Sequence, residues 1–314
     1  MTGKGIGDAI VLSGFIDKLK QSNKSVYIIL EKRLVYLFKE NLITNDGFIE
    51  FNHKDKTDNF KNALNAYQFD LIIDFYDLDL YSFQRAKIIS MCKCPSIGFN
   101  QPKRTVYTES IPYNKEKHIS DRMLLVLEKL KIDNTNFNYK INVSQTMQVQ
   151  IDDFINEHLQ NKQIIIFNPF ASCERRTMSS NQIYAVLDYL NKFEDYIIIV
   201  FDVNHELDLD KYSNIICNPF KSFESSCELV RRSQLVVTVD TSIVHLANAM
   251  NVKQIAIYNN RILNQKFRNN IVWAPNHPEA TQLFTDRHLN TFSGDFVSTL
   301  DVNILLNEIA KNLI

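Results

Sequence analysis

"SQLVVTVDTSIVHLANAMNVKQIAIYN", residues 233 to 259, carries a complete strand, turn, helix and strand signature. An apolar, β-branched run ends at Asp240, Thr241 and Ser242 make a turn, "IVHLANAM" has helical spacing, and "QIAIY" restarts a strand. Two strands joined through a helix in this way lie parallel in one sheet. Asn251 stands where such a helix needs a stop. The first N–H groups of a helix have no internal partners, so the turn is an anion site with the Thr241 and Ser242 hydroxyls beside it, and a diphosphate fits there. Asp240 reads either as a cap or as an acceptor for sugar hydroxyls. His245 lies four residues after Thr241 on the same helix face, and core packing accounts for it as well as a role in the site does.

The same alternation runs through the chain. "SVYIIL" (25 to 30), "FDLIIDF" (69 to 75), "QIIIF" (163 to 167), "YIIIVF" (196 to 201) and "NIIC" (214 to 217) read as buried strands. Between them "DAIVLSGFIDKLK", "SFQRAKIISM", "SDRMLLVLEKLK", "SSNQIYAVLDYLNKF" and "SFESSCELVRRS" space their apolar residues three and four apart, as amphipathic helices do. Repeated in this order, the elements build parallel sheets covered on both faces. The polar, Asn-rich stretch from 132, followed by the helical "IDDFINEHLQNK", interrupts the pattern until Gln163. Two α/β domains are therefore expected, residues 1–150 and 151–314, with ligands in the cleft at the carboxyl ends of their strands.

Composition narrows the function. With 314 residues, 45% hydrophobic and 23% charged, the chain can bury a substantial core. Thirty-five basic residues balance thirty-six acidic ones, which removes the electrostatic footprint of a nucleic-acid binder. Five cysteines, an odd number without zinc-site spacing, point to reduced thiols in a cytoplasmic protein rather than to a disulfide framework or a structural metal. No leader pattern is apparent, and the longest apolar runs are strand-sized, so no membrane span is expected. Neither a His-Glu-x-x-His motif nor a Gly-x-Ser-x-Gly elbow occurs, which argues against a metalloprotease and a serine hydrolase.

Two further turns belong to this reading. "GKGIGDAIVL" (3 to 12) lacks both the Walker and the full dinucleotide spacing, so its glycines, Gly5 and Gly7, are expected to bend the backbone and present Asp8. Asp8 is either a first-turn acid that stabilises the helix or a carboxylate facing the cleft. "FNPFASCERRTMSSNQIYAVL" (167 to 187) carries Arg175 and Arg176 side by side; such a pair is usually a solvated surface, but here it stands at the carboxyl end of a strand, where an arginine fork suits phosphate oxygens. Ser179 and Gln182 form a capping box for the helix that follows. The terminal "DVNILLNEIAKNLI" reads as an amphipathic helix packed on its domain.

"DTSIVHLANAM" resembles the Asp-Thr-(Gly/Ser)-x-x-His-(Leu/Ile)-Ala-x-Ala segment of glycosyltransferase family 9, the ADP-heptose:lipopolysaccharide heptosyltransferase family. Other pieces agree in order: "GIGDAIVLSGFIDKLK" with the amino-terminal Gly-Asp turn and helix, then "FDLIIDF", "SIGF", "HISDRMLLVLEKLKI" and the donor-side "NPFASCERRTMSSNQ". The resemblance implies a GT-B fold, with an acceptor-side Rossmann-like lobe and a nucleotide-sugar lobe. It implies an inverting transfer of heptose from ADP-heptose to the lipopolysaccharide or lipooligosaccharide core, without metal or other cofactor, in the cytoplasm with peripheral contact at the inner membrane. Carried over by position, Asp8 is the general base, Arg176 stands where the family has a lysine near the donor phosphates, and Asp240 orients the sugar. Thr241, Ser242 and the backbone after them receive the diphosphate, and His245 is the motif histidine. A related transferase with another donor or acceptor, or a nucleotide-sugar-binding remnant without activity, fits the same residues.

Three departures from the family pattern bear on this. The family has a full strand before the Gly-Asp turn, whereas "MTGKGI" here leaves a truncated one at most. Ser242 replaces a common glycine. Asn259 and Asn260 replace a Gly-Pro, which leaves Asn260, Arg261 and Trp273 either as a wall for base or ribose or as loop and packing residues.

Overall fold

The computed structural model describes residues 5–51, 62, 64, 66–75, 83–100, 106–114, 116–159, 162–204, 206–263, 267–285 and 294–313. The chain divides into two compact units, Met1–Asn142 and Val143–Ile314. The division falls before the expected boundary at 150, because a helix that begins at Gln145 belongs wholly to the second unit. Glu224 accepts from the Ser144 N–H at 2.7 Å, Arg232 pairs with Asp152, and Phe154 meets Phe220 edge-on.

The first unit opens on α1 (Ile6–Gln21), in which every residue from Ala9 to Ile16 is buried. Its apolar residues surround the axis instead of forming one stripe, as expected of a helix enclosed by the core. Strands β1 (Tyr27–Glu31) and β2 (Gly47–Phe51) pair in parallel, with α2 (Val35–Lys39) between them. Strand β3 (Ile72–Ile73), α3 (Phe83–Cys92), β4 (Ser96–Phe99) and β5 (Glu109–Ile111) follow, then α4 (Ser120–Lys129). Strands β3, β4 and β5 form a second parallel sheet. Ile29, Ile49, Ile72, Ile88 and Ile89 make one core shared by both sheets. "FDLIIDF" supplies only a two-residue strand. Gly7 is not in a turn but in the first turn of α1, and of the supposed first-strand remnant Ile6 is already helical, while Lys4 lies outside the described residues.

In the second unit α5 (Gln145–His158) leads to β6 (Gln163–Asn168), α6 (Ser180–Leu190), β7 (Tyr196–Val200), β8 (Ile215–Cys217) and α7 (Phe223–Arg231). Then come β9 (Ser233–Val239), α8 (Ser242–Ala249), β10 (Gln254–Tyr258), a hairpin of β11 (Ile262–Leu263) and β12 (Phe267–Arg268), α9 (Asn269–Val272), β13 (Ala280–Phe284) and α10 (Val302–Leu313). Six strands form one parallel sheet in the order β13-β10-β9-β6-β7-β8. Ile164 to Phe167, Leu235 to Val237 and Ile255 to Ile257 are buried without alternation, as strands covered on both faces must be. The capping box is present, with Ser179 accepting from the Gln182 N–H and Gln182 accepting from the Ser179 N–H. Asn251 adopts φ +57° just past α8, the left-handed stop that its position suggests.

Candidate functional site

Strands β10, β9 and β6 are neighbours in the sheet, so the segments leaving their carboxyl ends converge. These segments are Asn259 to Arg261, Asp240 to Ser242, and the loop from Asn168 to Thr177. Asn168, only 6% exposed, donates from Nδ2 to the Thr238 and Thr241 hydroxyl oxygens at 2.8 and 3.0 Å. It clips the end of β6 to the turn after β9. Thr241 is the N-cap of α8, its Oγ1 accepting from the Ile243 N–H at 3.2 Å, while its carbonyl accepts from the Val244 N–H at 3.3 Å. Two of the amides that the sequence offers to a diphosphate are therefore already engaged by Thr241. Ser242 is the first helical residue and is half-buried.

Arg175 and Arg176 sit on a single 3-10 turn, Glu174–Arg176, and leave it in different directions. The Arg176 Nη1 donates to the Asp240 main-chain carbonyl at 2.8 Å and stands 3.4 Å from Oδ2 of its carboxylate. Its Nη2 donates to Ser172 Oγ at 2.9 Å, and its Nε to Cys173 Sγ at 3.4 Å. Arg175 does not share this site: its guanidinium donates to the Gly294 carbonyl at 3.1 Å and lies 4.3 Å over the Phe296 ring. The expected fork is thus split, one arginine at Asp240 and the other bracing the 294–296 segment.

Asp240 is buried, and its Oδ2 also accepts from Asn269 Nδ2 at 2.7 Å. Burial pushes its carboxyl above the ordinary range, against the opposing pull of Arg176, Arg261 and the Asn269 hydrogen bond. Burial likewise works against the Arg176 charge, but Asp240 and Cys173 outweigh it and hold the guanidinium above its usual value. The Cys173 thiol moves the other way. Burial would raise it, yet the Arg176 hydrogen bond and the charges of Arg176 and Arg261 bring it below the usual thiol range.

His245 is buried, with its ring edge-on to Trp273 at 5.7 Å. That contact and the Tyr258 hydroxyl, which donates to the Trp273 carbonyl at 2.7 Å, give Trp273 a packing role. Asn260 takes φ +53° and donates to the Thr285 carbonyl, so it closes a loop. In the first unit Asp8 occupies the third position of α1, half-buried, and its Oδ2 accepts from the Gly5 N–H at 2.6 Å. Gly5 is in ordinary extended conformation, so its value is space rather than conformational freedom: a Cβ there would stand 2.9 Å from Asp8 Oδ2. Asn168 and Asn269 carry no mark in the sequence, since each acts on a residue far along the chain. Among the described residues no three His, Cys, Asp or Glu form a set that could hold a metal ion, and no helix is long and apolar enough to cross a membrane.

Residues 58–265 match the sequence model of glycosyltransferase family 9 (heptosyltransferase). A protein of Escherichia coli (strain K12), provisionally named lipopolysaccharide heptosyltransferase 4, is 24% identical over 315 residues, spanning 98% of this chain and 84% of that protein. The glycosyltransferase family 9 structure from Veillonella parvula superposes with a TM-score of 0.74 at 15% identity, over 98% of this chain and 94% of that one. E. coli heptosyltransferase WaaC with ADP gives 0.69 at 16% identity, over 99% and 96%, and E. coli ADP-heptose lps heptosyltransferase II gives 0.72 at 13%, over 99% and 97%.

Proposed function

Because the chain belongs to glycosyltransferase family 9, the heptosyltransferase family, and is a glycosyltransferase of GT-B fold, we propose that it moves heptose from ADP-heptose to a lipopolysaccharide or lipooligosaccharide core. The reaction in this reading is a single displacement with inversion, needs no metal ion, and takes place at the cytoplasmic face of the inner membrane. The observation that carries it is the cluster of Arg176, Asp240 and Thr241 at the carboxyl ends of β6 and β9. The bound nucleotide in the WaaC structure supports adenosine diphosphate as the carrier.

An acceptor hydroxyl oxygen attacks the anomeric carbon, the bond from that carbon to the diphosphate oxygen breaks, and the hydroxyl proton passes to the Asp8 carboxylate. Charge builds on the leaving diphosphate, so a guanidinium already held in place stabilises the transition state more than the ground state. Arg176 is that group, and Ser242 at the head of α8 is its neutral partner. Asp240 accepts from sugar hydroxyls and Thr241 shapes the turn beneath them. His245 packs behind α8. Asp8, held on the Gly5 N–H, supplies general-base assistance of about a hundredfold to ten-thousandfold.

Transfer from ADP-heptose to a heptose-deficient core, followed with and without chelator, tests the reading. Turnover that survives chelation and falls at least a hundredfold in Asp8→Asn is expected. Asp8→Asn with unchanged turnover would remove the base assignment, and loss of activity with chelator would remove the metal-free mechanism. Binding of ADP without transfer to any core acceptor would mark the chain as a nucleotide-sugar-binding remnant.

A further inference from the structure

Residues 294–300 run past the carboxyl ends of β10 and β13 and are fastened there at several points. The Asp295 N–H donates to the Asn259 carbonyl, and the Asp295 carbonyl accepts from Asn259 Nδ2, both at 2.9 Å. Thr285 Oγ1 donates to Asp295 Oδ2 at 3.0 Å, so the residues that directly follow β10 and β13 both hold Asp295. Farther along, Gln182 Nε2 donates to the Val297 and Leu300 carbonyls at 3.1 and 2.8 Å, which ties the segment to the first turn of α6. Gly294 opens the segment at φ +71°, and a Cβ on it would stand 2.5 Å from the Asn259 carbonyl oxygen, so this close approach requires glycine. Asp295, Val297 and Leu300 are buried.

The loop that carries the two arginines is held largely within itself. Ser172, Cys173 and Glu174 are exposed. Thr177 Oγ1 accepts from the Ala171 N–H at 3.0 Å, the Arg176 N–H donates to the Cys173 carbonyl at 3.1 Å, and the Thr177 N–H donates to the Glu174 carbonyl at 3.0 Å. A short 3-10 turn has poorer hydrogen-bond geometry than an α-helix and needs outside support to stay in one place. Arg175 links it to the fastened segment. Its Nη1 donates to the Gly294 carbonyl at 3.1 Å, its guanidinium lies 4.3 Å over the Phe296 ring, and Asn259 Nδ2 stands 3.5 Å from its own carbonyl. Arg176 is the next residue on the same turn, and its long side chain spans from there to Asp240. Fixing the backbone under such a side chain removes part of the freedom that would otherwise scatter its charge.

We propose that Arg175 is a positioning residue for Arg176: its side chain pins the 3-10 turn to the 294–296 segment, and the pinned turn holds the Arg176 guanidinium where the leaving diphosphate develops charge. This rests on the reading of the second unit as the nucleotide-sugar unit and of Arg176 as its phosphate cation. Adjacency in sequence makes the two arginines look like two arms on one phosphate, whereas the contacts make one the support of the other.

A double-variant cycle in the full chain tests this, with ADP affinity read by calorimetric titration and kcat by transfer assay. In the wild-type background Arg175→Gln is expected to weaken ADP several-fold and to lower kcat about tenfold, the scale of a sub-ångström misplacement of an oriented group. Arg175→Lys, which keeps a cation over Phe296, should recover part of both losses. In an Arg176→Ala background Arg175→Gln should change either quantity by less than about twofold, because no guanidinium is left to position. Thermal melting of each variant separates these effects from loss of fold. Equal losses in both backgrounds would mean that Arg175 acts on its own, and would overturn the positioning role, as would Arg175→Gln with wild-type affinity and kcat. Wild-type protein that binds no nucleoside diphosphate would overturn the functional reading and this inference with it. Wild-type protein that binds ADP without transfer would overturn heptose transfer alone and leave the affinity cycle to decide the role of Arg175.

Discussion

Arg176 and Asp240 are joined twice, by a 2.8 Å hydrogen bond to the main-chain carbonyl and by a 3.4 Å approach to the carboxylate, although 64 residues separate them. The double attachment orients the guanidinium plane before any ligand arrives. Arg176→Ala should lower kcat about a hundredfold, the scale for removing one donor to developing negative charge. Arg176→Lys should retain part of the activity, because a lysine keeps the charge but not the fork to Asp240 and Ser172. Steady-state kinetics decide it, and a wild-type kcat in Arg176→Ala would refute the role.

Asn168 holds two hydroxyls at once. Asn168→Ala leaves Thr238 and Thr241 without that donor in a buried corner and should cost about 1–3 kcal/mol. Urea unfolding monitored on the second unit measures it. A midpoint unchanged from the wild type would mean that the clip contributes nothing.

Cysteine reactivity should be uneven. Cys173 is exposed and lowered in pKa, whereas burial raises Cys92 to about 11 and also raises Cys94, Cys217 and Cys227. The thiolate is the reactive species, so at neutral pH iodoacetamide should alkylate Cys173 first, as read by peptide mass spectrometry. ADP should slow that reaction if the diphosphate occupies the Arg176 corner. Faster labelling at Cys92 would contradict the prediction.

Glu228 has no exposed side-chain surface and accepts from Arg231 at 2.7 and 2.5 Å and from Arg232 at 2.8 Å. Burial opposes its charge, but the two arginines outweigh it and hold the carboxyl below its ordinary value. A depressed folded-state pKa contributes stability above the unfolded value of about 4.3 and loses it as pH falls through the folded one. Glu228→Gln should therefore cost about 1–2 kcal/mol at pH 7, a figure held down by solvent because the arginine side chains are 39% and 35% exposed. The difference between variant and wild type should shrink as pH falls below the unfolded value and through the lower folded one. A gap that keeps its neutral-pH size as the solution is acidified would show that packing, not charge, is at work.

What the sequence disclosed was local. The turn from Asp240 to Ser242, the box of Ser179 and Gln182, and the left-handed Asn251 each depend on neighbours within a few residues, so spacing alone reveals them. Arg175 and Arg176 look equivalent on paper, and only the 3-10 turn beneath them sends one to Asp240 and the other to Gly294. Asn168 and Asn269 act across 73 and 29 residues, distances at which no periodicity operates. Strand β13, "ATQLF", is an edge strand with a half-polar pattern and gives no strand signal in the sequence, and β2, "GFIEF", is hidden in a similar way. Family likeness added the general base, a role that no local pattern assigns to Asp8.

Strand β6 lies between β9 and β7 in the six-stranded sheet, and β9 is made long after β6 and β7. During synthesis, one flank of β6, wholly apolar from Ile164 to Phe167, has no native partner until the ribosome has delivered the chain through Val239. Nascent protein arrested before that point should be sticky and dependent on chaperones. The strand that covers this flank leads straight into Asp240, so assembly of the Arg176–Asp240 corner and protection of β6 from aggregation occur in one step.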